Sequence, residues 1–590
     1  MNVLQALCDY SQRKGTLPPT GYTDKAIPCV IVINDQGRFV NLEYDETPKG
    51  ETPRKYRVVS GSRSSNISPY VFYDTGEYLL GIVPEKKSKA GESPEKQQEK
   101  QKKVEAATKK KHESFLSQCE EIASRYPANK KFAAVCSFYK NGGILQLQND
   151  ACWEIVKKMQ AGLFSFRLQG DLEIVAEDGD LQVYVQSKNC GLQRGESVCL
   201  VTGKKCIPVV VSNAIHVAGG QASGVRLVSF QTNSGYDSYG KKQGENAPIS
   251  KEASDAYNVA LDVLLAKESR NRLVVGNRTY VFWASNTDEA SKATEDALSV
   301  LLGIVQPDNS NPDYGVEKVR KAFDSVFSGV IKTDLDNRFF ILGLAPNAAR
   351  VAVSFWAEMP LKNFAEFLLK FLDDMEVVDN RKEKYPYKGL YPILKSISVT
   401  KAADAPENVK DAVFRSIIQG LPFPVTLIQA VIRRCRVEQT VTITRAAILK
   451  AYLNRLPDTQ GKRMEKMLDK TNEDVGYLCG RLFATLEMVQ SRANGKSTIG
   501  ARYIGAASAT PATVFGTLLG LSLHHEEKMS ESQKVFFEQQ KREILDKMPA
   551  SGFPARLDLQ EQANFFLGYY HQQQFLYTKK NVVDLTSETN

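Results

Sequence analysis

The stretch Cys199–Pro248, CLVTGKKCIPVVVSNAIHVAGGQASGVRLVSFQTNSGYDSYGKKQGENAP, holds side chains suited to binding rather than to bond breaking. Gly219, Gly220 and Gly224 carry no side chain, so the backbone can approach a partner closely. Gln221, Ser223, Ser238 and Asn246 offer hydrogen-bonding groups, and Lys241 and Lys242 add positive charge. Two readings stay open, an irregular surface loop and a binding loop. A nucleotide fingerprint is not among them, because the glycines do not follow the dinucleotide spacing and no strand-to-helix context surrounds them. A second group is basic. Arg433, Arg434 and Arg436 share one predicted helix, Arg445, Lys450 and Arg455 follow on the next, and Lys462, Arg463, Lys466 and Lys470 continue beyond it. Such a run is either a solvated helix face or a set of phosphate contacts, which need charge but no fixed spacing.

Reactive chemistry finds less support. Asn494-Gly495-Lys496-Ser497-Thr498 imitates the end of a phosphate-binding loop, but the first glycine of that motif would fall at Gln490, in a helical pattern. His524 and His525 are adjacent, so they point to different sides of a helix, and no acidic partners stand at helical spacing. His216, beside the glycine-rich loop, reads as a structural or binding histidine. Cys190, Cys199, Cys206 and His216 can be drawn as a zinc set, but the spacing matches no common finger or ribbon. The ten cysteines include no CxxC pair and read as reduced, packed thiols. No nucleophile elbow or HExxH occurs. Metal-dependent cleavage would need clustered carboxylates. Asp334 with Asp336 and Asp373 with Asp374 read instead as turn and helix-surface acids. The expectation is a chain without catalysis, metal or cofactor.

The elements that must position these groups belong to a large chain. With 590 residues, two to four domains are expected. The hydrophobic fraction of 42% and charged fraction of 25% are those of a globular protein, and the net charge of +9 suits a polyanionic partner. No apolar run reaches the roughly 18 residues of a membrane span, and the start MNVLQALCDYSQRKG lacks a secretory layout, so a cytoplasmic protein is expected.

The pattern predicts α+β: a mixed α/β N-terminal region followed by a C-terminal all-α helical bundle. Residues 1–84 read as β-rich, with a hairpin Ala26–Ile33/Arg38–Tyr44 and a strand at Tyr78–Val83. Residues 85–115 are a charged linker or helix. Residues 116–405 are mixed, with helices at Phe115–Tyr126 and Ala151–Gly162 and strands at Leu181–Gln186, Pro208–Ser212 and Arg272–Ala284. Arg338–Trp356, RFFILGLAPNAARVAVSFW, gives two strands around a Pro-Asn turn, followed by a helix over Asn363–Val377. Residues 406–590 read as helices with signals at Pro424, Thr442 or Thr444, Thr510-Pro511 and Ser530.

The words LGLAPNAARVAVSFW resemble a signature of the large subunit of the type I-C CRISPR interference complex (Cascade). CLVTG, His216, the Gly-Gln-x-Ser-Gly loop, VSF, SYG, QG and NAP follow in that family's order. So do PFPVTLIQAVIRR, TRAAILKAYLNR, YLCGRLFATLE and RYIGAASATPATVFGTLL. The resemblance runs from NVLQAL through Leu519.

It implies a subunit that surveys double-stranded DNA for a short flanking motif (the PAM), helps open the duplex, and offers a docking surface to a helicase-nuclease. Its partners would be the CRISPR RNA-protein complex, with backbone subunits, a repeat-handle-binding subunit and a small subunit. Base pairing reads the sequence and protein reads the flank. The resemblance places flank reading in Pro53–Asn66, with Arg63, Ser65 and Asn66 on DNA and Arg54 and Arg57 on phosphates; Gln221 and Ser223 are a second site. The segment ISPYVFYDTGEYLLG departs from the family's usual Asn-Phe-Leu and Asp-Asn pattern. The resemblance also implies a small subunit made by internal translation; its start is read at Met464, because codons for the preceding Gln-Gly-Lys-Arg permit a ribosome-binding GG, with Met467 the runner-up. Other readings of the whole chain are a metal-dependent nuclease and a pure scaffold.

Overall fold

The β-branched run CVIVI becomes the most buried strand of the N-terminal half, because every one of its residues faces packed neighbours. In chain order the strands are β1 (Tyr22–Ala26), β2 (Cys29–Ile33), β3 (Phe39–Tyr44), β4 (Lys55–Val59), β5 (Tyr73–Thr75), β6 (Leu163–Leu168), β7 (Ser197–Val198), β8 (Lys205–Cys206), β9 (Arg272–Val275), β10 (Arg278–Ala284), β11 (Arg338–Asn347) and β12 (Arg350–Pro360). The computed structural model describes residues 1–13, 18, 21–45, 54–59, 67–84, 94–181, 183–184, 197–221, 223–236, 239–305, 312–348, 350–378, 389–457 and 463–587. The chain forms two compact units. One is Met1–Leu265 with Pro346–Ala352, the other Ala266–Ala345 with Val353–Asn590.

In the first unit the strand order is β3-β2-β6-β5, with β2 antiparallel to β3 and parallel to β6. The β2–β3 turn uses Gly37 at φ +75°, where a Cβ would lie 2.4 Å from the Phe138 amide nitrogen. A separate ribbon pairs β1 with β4, Lys25 opposite Tyr56 and Ala26 opposite Lys55. Part of the charged run lies in a 32-residue helix, Pro94–Arg125, largely exposed over residues 98–107, while its second half buries Phe115, Cys119 and Ile122; residues 85–93 lie outside the described residues.

Three sequence expectations change here. Tyr78–Val83 is not a strand: Gly76–Leu79 is a short helix, and the Tyr78 carbonyl contacts His112 Nδ1 at 2.8 Å. Short apolar runs do not separate the two states by periodicity. Leu181 is helical, as are residues 183–184. Pro208–Ser212 bends at Val210 and Val211 and joins no ladder, because its backbone groups hold loops instead.

The second unit has the strand order β12-β11-β10-β9, so β11 and β12 form the expected hairpin, but Pro346 and Asn347 are the last residues of β11 and not its turn, and the positive φ falls at Ala348, +52°. Phe282, Phe339, Ile341 and Phe355 from this sheet share one core with Phe364, Leu368 and Phe371 of the Leu361–Asp374 helix and with the later helices. The change to pure helix near 406 is therefore a change of element type within one unit. The helices Val475–Asn494 and Leu559–Ser587 cross at glycines, since a Cβ on Gly480 would lie 1.9 Å from the Phe565 carbonyl and one on Gly568 2.3 Å from the Tyr477 carbonyl. Thr442, Asp474 and Ser530 cap helices through side-chain oxygens, each worth about 1 kcal/mol. Among the described residues no helix is long and apolar enough to cross a membrane. The whole is α+β.

Candidate nucleic-acid interface

Residues 208–215 act as a spine from which the glycine-rich segment hangs in two loops. The Ile215 and Val225 amides exchange hydrogen bonds at 2.8 Å and close the first loop over residues 216–224. Ser212 Oγ donates to the Val228 carbonyl at 2.8 Å, and Arg226 Nε donates to the Ser212 carbonyl at 3.1 Å. Further back, Gly244 N donates to the Val210 carbonyl at 3.2 Å and Val209 N to the Ile249 carbonyl at 2.9 Å, which fixes the far end of the second loop. The spine itself is tied down by Asn213 Nδ2, which donates to the buried Asp255 carboxylate at 3.3 Å; Lys251 pairs with the same oxygen at 2.6 Å.

The hairpin tip meets the first loop. Arg226 and Arg350 form an isolated parallel bridge, and a Cβ on Gly219 would touch Pro346 at 3.4 Å. Gly219 adopts φ +80° and Gly224 φ +85°, values that favour glycine. The two motifs most telling in the sequence, more than a hundred residues apart, thus form one surface within the first unit. Its exposed groups are His216, Gln221, Ser223, Asn347 and Arg350. Lys25 of β1 adds to it: partial burial and the Lys25 ammonium push His216 below its ordinary value, so the ring is neutral at pH 7. Lys25 and Lys55 also lie near Asp262, whose carboxyl is raised by burial to about 6 while the two ammoniums oppose the rise. Neutral donors and acceptors beside lysine and arginine can accept a base edge and a phosphate together.

Of the residues singled out in the sequence, Gln221 and Ser223 stand exposed on this first loop, and Lys241 and Lys242 stand exposed on the second. Arg54 is exposed, with its guanidinium 5.1 Å from the Tyr56 ring centre. Arg57 is exposed but pairs with Asp24, Nε to Oδ1 at 3.1 Å. Arg63, Ser65 and Asn66 lie outside the described residues. Sequence reasoning missed Lys25, Lys55, Asn347 and Arg350 as site residues. The signal for the last two was the hairpin itself, whose turn must present its polar residues to solvent.

The helical basic cluster is divided by the second unit. Arg433 is exposed. Arg434 pairs with Glu438. Arg436 is held inside, Nε donating to Ser508 Oγ and Nη2 to Gln562 Oε1, both at 2.9 Å. Arg445, Lys450 and Arg455 are buried. Arg455 Nε meets the fully buried Asp374 at 2.7 Å, Arg463 pairs with the same carboxylate, and Lys450 Nζ donates to the Asp373 carbonyl at 2.8 Å. Arg445, Lys450 and Arg455 build the interior. Among the described residues no three His, Cys, Asp or Glu side chains are grouped to hold a metal ion. Cys190 of the drawn zinc set lies outside them.

The family model described as CRISPR-associated protein (Cas_Csd1) matches residues 5–577, and the chain belongs to that family. It is a CRISPR-associated, Cascade-type subunit of the Csd type. No curated protein matches the chain.

Proposed function

We propose that the chain is the large subunit of a type I-C RNA-guided surveillance complex, that it recognises the flank beside the target in double-stranded DNA, and that it does so without catalysis. The observation that carries this reading is the joined surface of the first loop and the hairpin tip, where Gln221, Ser223, His216 and Asn347 stand beside Arg350 and Lys25. Uncharged groups discriminate bases while the cations hold phosphates. Arg54 and Lys55 extend the basic ground along the β1–β4 ribbon. Arg63, Ser65 and Asn66, seven residues or fewer beyond β4, are the remaining candidates for flank contact. In this reading the chain also helps open the duplex and recruits a helicase-nuclease, in a cytoplasmic setting with the RNA-protein backbone as partner.

The bundle supports a second product. Met464 lies just before the Asp474-capped helix, and the helices from Val475 onward pack around the Gly480–Gly568 crossing. Translation from Met464 would keep that crossing whole. Replacing Met464 by a leucine codon should abolish a small C-terminal product; its persistence would reject this start.

The test of the main reading is duplex-target binding by the guide-RNA backbone complex, with and without this chain, on randomised flanks. Binding restored only for a subset of flanks supports flank recognition. Equal binding on every flank turns the chain into a scaffold.

A further inference from the structure

The second loop differs in chemistry from the first. Tyr236 is 43% exposed, and its ring meets Phe230 edge-on, 5.5 Å between centres at 72°. Tyr239 is 93% exposed, so nearly its whole ring stands in water. Lys241 and Lys242 follow it and are exposed as well. A bare aromatic ring on the surface is seldom neutral for a fold, which gains from burying such area. Here the backbone holds it out. Gly240 at φ +73° turns the chain directly after Tyr239, in a conformation that residues with a Cβ avoid. The next foot is rigid: Lys242 N donates to Glu245 Oε2 at 2.7 Å, and a Cβ on Gly244 would lie 1.7 Å from the Val209 carbonyl. Lys241 and Lys242 follow two and three residues after Tyr239, at most about 10 Å of extended backbone. That is within reach of the phosphates on either side of a base lying on the ring.

We propose that Tyr239, with Lys241 and Lys242, is a stacking site for an unpaired nucleotide of single-stranded DNA. Every base has a π face, so such a site tolerates any sequence, while lysines on the flanking phosphates supply charge without base reading. A protein partner would also cover the ring, but paired lysines beside it favour a polyanion. The inference rests on the DNA-binding reading above and adds a place for the strand that opening releases.

The full chain is titrated against a fluorescent oligo-dT and against a duplex of equal length, by anisotropy at fixed salt. Wild type should bind both. Tyr239→Ala should weaken single-strand binding by at least about five-fold, with Tyr239→Phe retaining it, because the ring and not the hydroxyl stacks. Duplex binding and the thermal midpoint should stay unchanged in both variants. Lys241→Ala with Lys242→Ala should flatten the salt dependence of single-strand binding. If Tyr239→Ala binds single strands as wild type does, or if wild type binds duplex but not single strands, the stacking site is overturned and the flank reading stands. If wild type binds neither, the DNA-binding reading itself fails.

Discussion

In the sequence, the glycine-rich loops of the first unit and the basic helices of the second unit are alike, polar runs suited to a polyanion, yet they end in opposite surroundings. On the first loop His216, Gln221 and Ser223 stand in solvent, and the Ile215 and Val225 amides make the bonds that close it. Along the Val425–Glu438 and Ile443–Asn454 helices the charged side chains make the structural bonds themselves. A buried charge must be paired, whereas a surface loop held by its own amides leaves its side chains free. Charge density alone therefore does not mark a binding face.

The sharpest way to break this contrast is at Asp374. Its carboxylate is fully buried between Arg455 and Arg463. Asp374→Ala should cost about 3–5 kcal/mol, read by urea unfolding, because Arg455 stays buried without its anion. A loss below about 1 kcal/mol would show that the cluster is solvated after all. Next in size is Gly480→Ala. The added Cβ meets backbone on the facing helix, not a movable side chain. The crossing must widen, at about 3 kcal/mol, seen in the full chain and in any Met464–Asn590 product alike.

A third comparison sets Arg436 against Arg433, three positions apart on one helix. Arg436→Glu should lower stability by about 2 kcal/mol, since it strands the Ser508 and Gln562 partners beside a carboxylate. Arg433→Glu should leave stability within about 0.5 kcal/mol and can lower duplex affinity through charge alone. The loop surface should answer in the reverse sense. Arg350→Ala or Gln221→Ala should leave the thermal midpoint unchanged and weaken binding of flank-bearing duplex about ten-fold, measured in the assembled complex. Lost stability without lost affinity would make this surface structural.

How much of this was legible follows from which interactions are local. Hairpin, caps and helices were readable because turn residues and apolar spacing act over a few positions: Asn34–Gly37 turns, Thr442 caps, Leu478, Leu482 and Leu486 face inward. The meeting of Pro346 with Gly219 was not, because nothing local in either motif refers to the other. Nor was the burial of Arg445, Lys450 and Arg455. Among their acceptors are Ser396, Asp373 and Asp374, well upstream, and a helix pattern shows spacing without showing what lies across from it. Asp373 and Asp374 read as surface acids for the same reason. Tyr78–Val83 misled through length, being too short to show a period.

The finest test lies where the two kinds of surroundings meet in one residue. Asp262 sits under Lys25 and Lys55, and burial holds its carboxyl up at about 6 despite both ammoniums. A raised carboxyl favours the fold when protonated. That stabilisation is whole below about pH 3.9, the unfolded value, and is lost as pH rises through about 6. At pH 7 the native state therefore carries a charged carboxylate that the unfolded chain would solvate better. Asp262→Asn should raise stability by about 1 kcal/mol at pH 7 and by nothing near pH 4. It should also leave Lys25 and Lys55 without their anion and tighten duplex binding about two-fold at pH 7, less at high salt. Tighter binding with no change in stability would place Asp262 with the exposed loop groups. A gain in stability with unchanged affinity would make it a carboxylate governed by burial alone, the reverse of Asp374, whose ion pairs with Arg455 and Arg463 hold the fold.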